Sequence, residues 1–319
     1  MKKDISQHKT ADTVLLLEDM EMTAMLFNKP IVYSHEHTTI DLSGVKKDPD
    51  CRLDDMDHTI EEYLGLSRHG VRTIVDVTNR GMGRNVEYVQ KVAEKTGIRI
   101  LSSTGYYKEP FLPQEVYRLD EKGIAKILTG EIRDGIGETG VRASAIGEIG
   151  TSRDRIEPQE EKIFRAAASA QAETGVPIIT HTTLGRLGME QISLLKSSGA
   201  DLSHVVLSHI DLSGDTEYMQ GLLDTGVNIA FDTVGKKKYQ PDESRAEWLR
   251  LLCDRGYSSQ IVMSMDITRK SHFKANGGPG YSYLLDTFVP MLSKSGISEK
   301  DLTAMLCTNP VRIYRLKEE

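Results

Sequence analysis

The chain has 319 residues, with 40 Lys and Arg against 47 Asp and Glu, for a formal net charge of −7. Apolar residues make up 39% and charged residues 27%; that much apolar surface offsets chain entropy and excludes a chain disordered throughout. No early apolar run approaches the ~20 residues of a membrane span or the length of a signal peptide, and the acidic balance argues against bulk binding to a nucleic-acid backbone.

Residues 1–28 precede the first strand-like run and read as an N-terminal leader. The first run, 31–34, leads to an amphipathic helix at 60–68 and to Gly70. The second run, 73–77, leads to a helix at 86–95 and Gly97; the third, 98–102, opens a long segment, 105–142, with a helical region and added structure. Runs at 144–149, 177–180, 205–208 and 228–231 follow, each with a helix behind it, at 160–173, 189–197, 217–223 and 243–255. The eighth run is 261–264. Near-continuous apolar runs suit strands covered on both faces. Gly175, Gly199, Gly226 and Gly256 close the later helices, as a left-handed capping residue does. This rhythm predicts an α/β fold, a (β/α)8 TIM barrel, in one domain over 29–319. The three cysteines, Cys51, Cys253 and Cys307, form no CxxC pair and predict free thiols in a reducing cytoplasm.

Phosphate-loop, dinucleotide, nucleophile-elbow and HExxH motifs are all missing from the sequence. What remains is a set of metal-ligand side chains with a common address. His35 and His37 follow the first run at a spacing that lets both face one point. Glu148, His181, His209 and Asp266 close the fourth, fifth, sixth and eighth runs, and barrel active sites are built at C-terminal strand ends. Any one such histidine reads most simply as a hydrogen-bonded rim residue; six together outweigh that reading. Imidazole and carboxylate suit Zn2+, Mn2+, Co2+ or Ni2+. Four histidines and two carboxylates exceed what one catalytic ion with an open position needs. They suit two ions roughly 3.5–4 Å apart. His8, His58, His69 and His204 keep structural readings.

The segments SHEHTTIDLSG (34–44), DVTNRGMGRN (76–85), SSTGYY (102–107), GEIGTS (147–152), THT (180–182), SHIDL (208–212), FDTVGK (231–236) and SMDITRKSHFKANGG (264–278) resemble the phosphotriesterase family of the amidohydrolase superfamily. The resemblance implies an amidohydrolase-type barrel with His35, His37 and Asp266 on one ion and His181 and His209 on the other. Glu148 and a solvent hydroxide would bridge them. The hydroxide attacks a carbonyl or phosphoryl centre, and Asp266 is the catalytic residue that takes its proton. The sequence departs from the family in two places. Many relatives carry a carboxylated lysine where this chain has Glu148, and Pro30-Ile31-Val32-Tyr33-Ser34 replaces the usual Gly-x-Thr-Leu-x.

For the substrate, Lys236, Arg269 and His272 are read as contacts, because relatives acting on phosphorylated sugar lactones place a lysine and an arginine there and the arginine fork suits phosphate. Tyr106 and Tyr107 are candidates to line the pocket, and Arg80 and Arg84 lie on the same side. The expected activity is a dinuclear metal-dependent hydrolysis of an ester or lactone bond in a small, anionic molecule. It takes place in the cytoplasm, with no nucleic-acid or membrane partner; homodimers occur in the family. Three alternatives stay open: a phosphotriesterase or phosphodiesterase, a TatD-like nuclease, and a non-catalytic metal-binding barrel. THTT and SMDITRK speak against the nuclease.

Overall fold

The computed structural model describes residues 29–317; the expected leader, 1–28, lies outside the described residues. Eight strands follow chain order in one sheet: β1 Ile31–Glu36, β2 Val71–Asp76, β3 Arg99–Thr104, β4 Ala145–Thr151, β5 Ile178–Thr182, β6 Val205–Ser208, β7 Asn228–Phe231 and β8 Ile261–Met263. Consecutive strands pair in parallel throughout. A helix connects each strand to the next: α1 Met56–Arg68, α2 Val86–Thr96, α3 Glu121–Arg133, α4 Pro158–Thr174, α5 Gly188–Ser197, α6 Thr216–Leu223 and α7 Asp242–Asp254. This is the (β/α)8 barrel that the sequence predicts.

Local chemistry sets the helix ends. Asp55, Asn85, Asp120 and Asp215 accept backbone N–H groups at the starts of α1, α2, α3 and α6, satisfying donors that have no partner inside the helix. Gly97 and Gly175 close α2 and α4 at φ 70 and 74, a conformation that costs glycine nothing.

The core has two layers. Val32, Val75, Leu101, Ala145, Ile179, Val206, Ala230 and Val262, one from each strand, meet inside the barrel. Ile313 and Tyr314 pack against them, and the Tyr314 hydroxyl donates to the Ser34 carbonyl at 3.0 Å. Residues of opposite parity, such as Ile31, Tyr33, Ile178 and Ile229, pack outward against the helices. Burying each such side chain stabilises the fold by roughly 1.5–3 kcal/mol.

The backbone ladder joins β1 through β8. Between β8 and β1, side chains hold the seam. The Glu36 carboxylate accepts from Ser264 Oγ at 2.7 Å, Met265 N at 2.7 Å and Ile267 N at 3.2 Å. Ser264 Oγ in turn accepts from His35 N at 3.0 Å. Strand limits differ from the expectation in three places that matter. β1 runs on through His35 to Glu36, β4 runs on beyond Ile149 to Thr151, and β5 runs through His181 to Thr182, because backbone pairing continues after the apolar run has ended. No helix among the described residues is long and apolar enough to cross a membrane, and all three cysteines are free thiols.

Candidate metal centre

Simple alternation along β1 would send His35 to the same side as Tyr33, away from Val32 and the barrel interior. The pairing of β1 with β2 shifts register between Tyr33 and Glu36, and such an irregularity re-aims a side chain. β4 does the same. Its register with β5 shifts between Ile146 and Ile149. There Gly147 adopts φ 145, and a Cβ would stand 2.3 Å from the Ile179 carbonyl oxygen. Only glycine lets the strands approach this closely, and the next residue, Glu148, turns inward. His181 needs no such device, since it alternates with inward Ile179. His209 and Asp266 sit just beyond β6 and β8 in left-handed conformations, φ 62 and 50. Backbone of that kind in non-glycine residues concentrates at functional sites.

The six side chains converge around Glu148. Its Oε1 lies 3.4 Å from His37 Nε2. Its Oε2 lies 3.0 Å from His181 Nδ1, 3.4 Å from His209 Nε2 and 3.6 Å from His35 Nε2. Asp266 Oδ1 stands 3.4 Å from His37 Nε2 and 3.7 Å from His35 Nε2. Among the described residues three ligand-capable triads result: His35–His37–Glu148 and Glu148–His181–His209, which share the glutamate, and His35–His209–Asp232.

The outer ring nitrogens are engaged. His35 Nδ1 meets Ser208 Oγ at 2.8 Å, His37 Nδ1 meets Thr78 Oγ1 at 2.8 Å, and His209 Nδ1 meets Asp232 at 2.9 Å. The inner nitrogens of His35 and His37 are buried with no hydrogen-bond partner. An unpartnered buried polar atom costs about 1–3 kcal/mol. Imidazoles held from outside, with bare inner nitrogens facing carboxylates, are what divalent cations need. The residues therefore fit a metal centre.

For the two carboxylates and for His35 and His181, charge supports the fit. Burial would raise Glu148, but His181 and His35 hold it well below the usual carboxylate range. Burial opposes Asp266 likewise, and Lys236 holds it well below its usual range. Burial lowers His35 and takes His181 down to about 4, which favours the neutral, ligating imidazole. Against burial, contacts with Asp266 and Glu148 lift His37 to about 9.

The expected substrate contacts fare unevenly. Lys236 Nζ hydrogen-bonds Asp266 Oδ2, so it stands at the centre. Arg269 binds Asp48 at 2.7 Å and Asp50 at 3.3 Å, and its guanidinium is engaged away from the cluster. His272 is half-buried on the same loop; burial, then Lys236, pushes it down to about 4. Tyr106 departs from the expectation. It is fully buried and donates to Glu115 Oε1 at 2.9 Å, because the chain leaving β3 turns that ring toward Arg80. Tyr107 is the tyrosine at the cluster, its hydroxyl 3.3 Å from both ring nitrogens of His181. Arg80 and Arg84 pair with Glu131, and Arg80 also with Glu115, a loop-holding arrangement.

Sequence reasoning missed Asp232, which lies 3.3 Å from His35 Nδ1 and bonds His209. The available signal was an acid directly after the seventh apolar run. Missed too was Arg245, fully buried between Asp211 and Asp242, where it bonds the Gln240 carbonyl at the end of the Lys236 loop.

Residues 28–314 match the phosphotriesterase family. The chain is 45% identical over 282 residues to the phosphotriesterase homology protein of Escherichia coli, covering 88% of this chain and 97% of that protein. The crystal structure of that protein, complexed with phosphate in its active site, superposes with a TM-score of 0.88 and covers 90% of this chain and 99% of that one. An N-acetyltaurine hydrolase of Dictyostelium discoideum is 34% identical over 277 residues, 83% of this chain and 75% of that protein. A lactonase of Listeria monocytogenes, 28% identical, superposes with a TM-score of 0.86 over 92% of this chain and 97% of that one. The matched span takes in every strand of the barrel and all six converging side chains, so the chain belongs to the phosphotriesterase family, as a metal-dependent, ester-hydrolysing enzyme.

Proposed function

We propose that the chain is a dinuclear hydrolase of a small anionic ester or lactone, with a phosphorylated sugar lactone as the favoured substrate. In this reading His35, His37 and Asp266 would hold one ion, His181 and His209 would hold the other, and Glu148 would be shared between them. The observation that carries it is the sharing of Glu148 between two ligand triads. Zn2+ is the first choice; Mn2+, Co2+ and Ni2+ suit the same donors.

When bound, the ions supply a more acidic water and an electrophile for the substrate oxygen. The protein does the rest. Asp266, held as a carboxylate, accepts the proton of the attacking water and returns it to the leaving oxygen. Lys236, bonded to Asp266, fixes that carboxylate and offers positive charge to the leaving group. Tyr107 stands against His181, its hydroxyl 3.3 Å from the ring nitrogens. Support for an anionic substrate comes from the relatives: one crystal structure holds phosphate in its active site, and N-acetyltaurine, named for another, carries a sulfonate. A reducing cytoplasm suits the three free thiols.

The test strips the protein with EDTA, restores Zn2+ or Mn2+, and assays plain lactones, phosphorylated lactones, N-acetyltaurine, a phosphotriester and single-stranded DNA. Metal-dependent turnover is expected, strongest on a lactone. Turnover of DNA alone would favour the nuclease, and no metal-dependent turnover of any compound would overturn the reading.

A further inference from the structure

Four of the cations on the catalytic side of the barrel are committed to carboxylates. Lys236 bonds Asp266, Arg269 bonds Asp48 and Asp50, and Arg80 and Arg84 bond Glu131. Lys108 is different. Its ammonium donates to the Glu109 carbonyl at 3.2 Å, and no carboxylate is in ion-pair contact with it among the described residues. The side chain is half-buried.

Its course is set by the strand beneath it. A Cβ on Gly150 would meet His181 Cβ at 3.1 Å and Lys108 Cβ and Cδ at 3.2 Å. The lysine stem therefore runs over the end of β4, beside a candidate ligand. The ammonium then lies 5.6 Å from the ring of Tyr107 and 5.8 Å from that of Phe111. A second ammonium, that of exposed Lys46, stands 6.0 Å from the same Phe111 ring. Two like charges thus share one aromatic ring next to the cluster. Ring faces attract cations weakly compared with a full anion, so an incoming anion gains two ammonium partners there.

We propose that Lys108, with Lys46 outside it, is the subsite that takes the phosphate group of the substrate. This rests on the dinuclear-hydrolase reading for the bond that is cleaved, but not for the anion that is bound. It also assigns the anion to Lys108 and Lys46, whereas the family resemblance points to Lys236 and Arg269.

The experiment uses the metal-loaded enzyme as wild type, Lys108→Met, Lys108→Arg and Lys46→Met, each first checked by its melting curve. Calorimetric titration with glycerol 3-phosphate, and with glycerol as the uncharged control, reads binding directly. The wild type should bind the phosphate ester and not glycerol. Lys108→Met should weaken Kd about tenfold, Lys46→Met about threefold, and Lys108→Arg should restore most of the loss. In kinetics, Lys108→Met should lower the ratio of kcat/KM for a phosphorylated lactone to that for its plain form by about tenfold. Absence of binding by the wild type, equal Kd for Lys108→Met and wild type, or an unchanged ratio would overturn the subsite. Loss of lactone turnover in every form, with the titrations as expected, would overturn the assigned reaction and leave the subsite standing.

Discussion

Asp232 grips His209 twice, accepting its backbone N–H at 2.8 Å and its imidazole Nδ1 at 2.9 Å through one oxygen, while the other oxygen lies 3.3 Å from His35 Nδ1. One carboxylate thus touches a histidine from each candidate metal position. Accepting from Nδ1–H fixes the tautomer and leaves the Nε2 lone pair facing the cluster. Replacing Asp232 by Asn keeps the shape but removes the charge. Metal affinity should fall about 10- to 100-fold, read by competition against a chromophoric chelator. Wild-type affinity in that variant would show that Asp232 orients nothing.

Glu148→Gln tests the bridge. Oε1 and Oε2 face different histidines, His37 at 3.4 Å and His181 at 3.0 Å. A neutral amide cannot place a negative oxygen toward both sides. The purified variant should retain at most one equivalent of metal where the wild type retains two, by elemental analysis, and turnover should fall roughly 100-fold or more. Bicarbonate should leave wild-type turnover unaltered, because Glu148 needs no carboxylation. A bicarbonate requirement would mean that some lysine supplies the bridge instead.

The barrel was legible because its apolar runs and its backbone ladders largely coincide, and for β6 and β7 they share both limits. The ligand set was legible as residue types at strand ends. How His35 and Glu148 reach the interior was not, since both depend on register shifts against a neighbouring strand. The Tyr106–Tyr107 pair shows the same limit. Adjacent rings point apart, and the choice between them is made by the contact of Tyr106 with Glu115. The family resemblance makes Arg269 read as an anion clamp. Its carboxylate partners, Asp48 and Asp50, come from the far end of the chain, where no local pattern announces them.

Glu36 carries the barrel seam. Its carboxylate satisfies one hydroxyl and two backbone donors near β8. In Glu36→Gln the amide nitrogen faces donors, so at least one buried N–H or O–H loses its acceptor. The expected loss is about 1–3 kcal/mol of unfolding free energy, measured by urea denaturation. A smaller loss than that of a surface Glu→Gln control would show that backbone pairing closes the barrel unaided.

Asp286 makes stability depend on acid. It accepts from His69 Nε2, Lys274 Nζ and Ser282 Oγ. Burial would raise its pKa, yet these three partners hold it well below the usual carboxylate range. Its folded pKa is thus depressed relative to about 3.9 in the unfolded chain. The resulting stabilisation is complete above about pH 5 and is lost as pH falls through the folded value. Asp286→Asn should cost roughly 1–3 kcal/mol at pH 7, measured by denaturant titration across pH. The variant and wild-type curves should converge as the solution becomes strongly acidic, because protonation removes the same charge from the wild type. A gap that stays constant down to the acid limit would assign the loss to packing rather than to the ionised carboxylate.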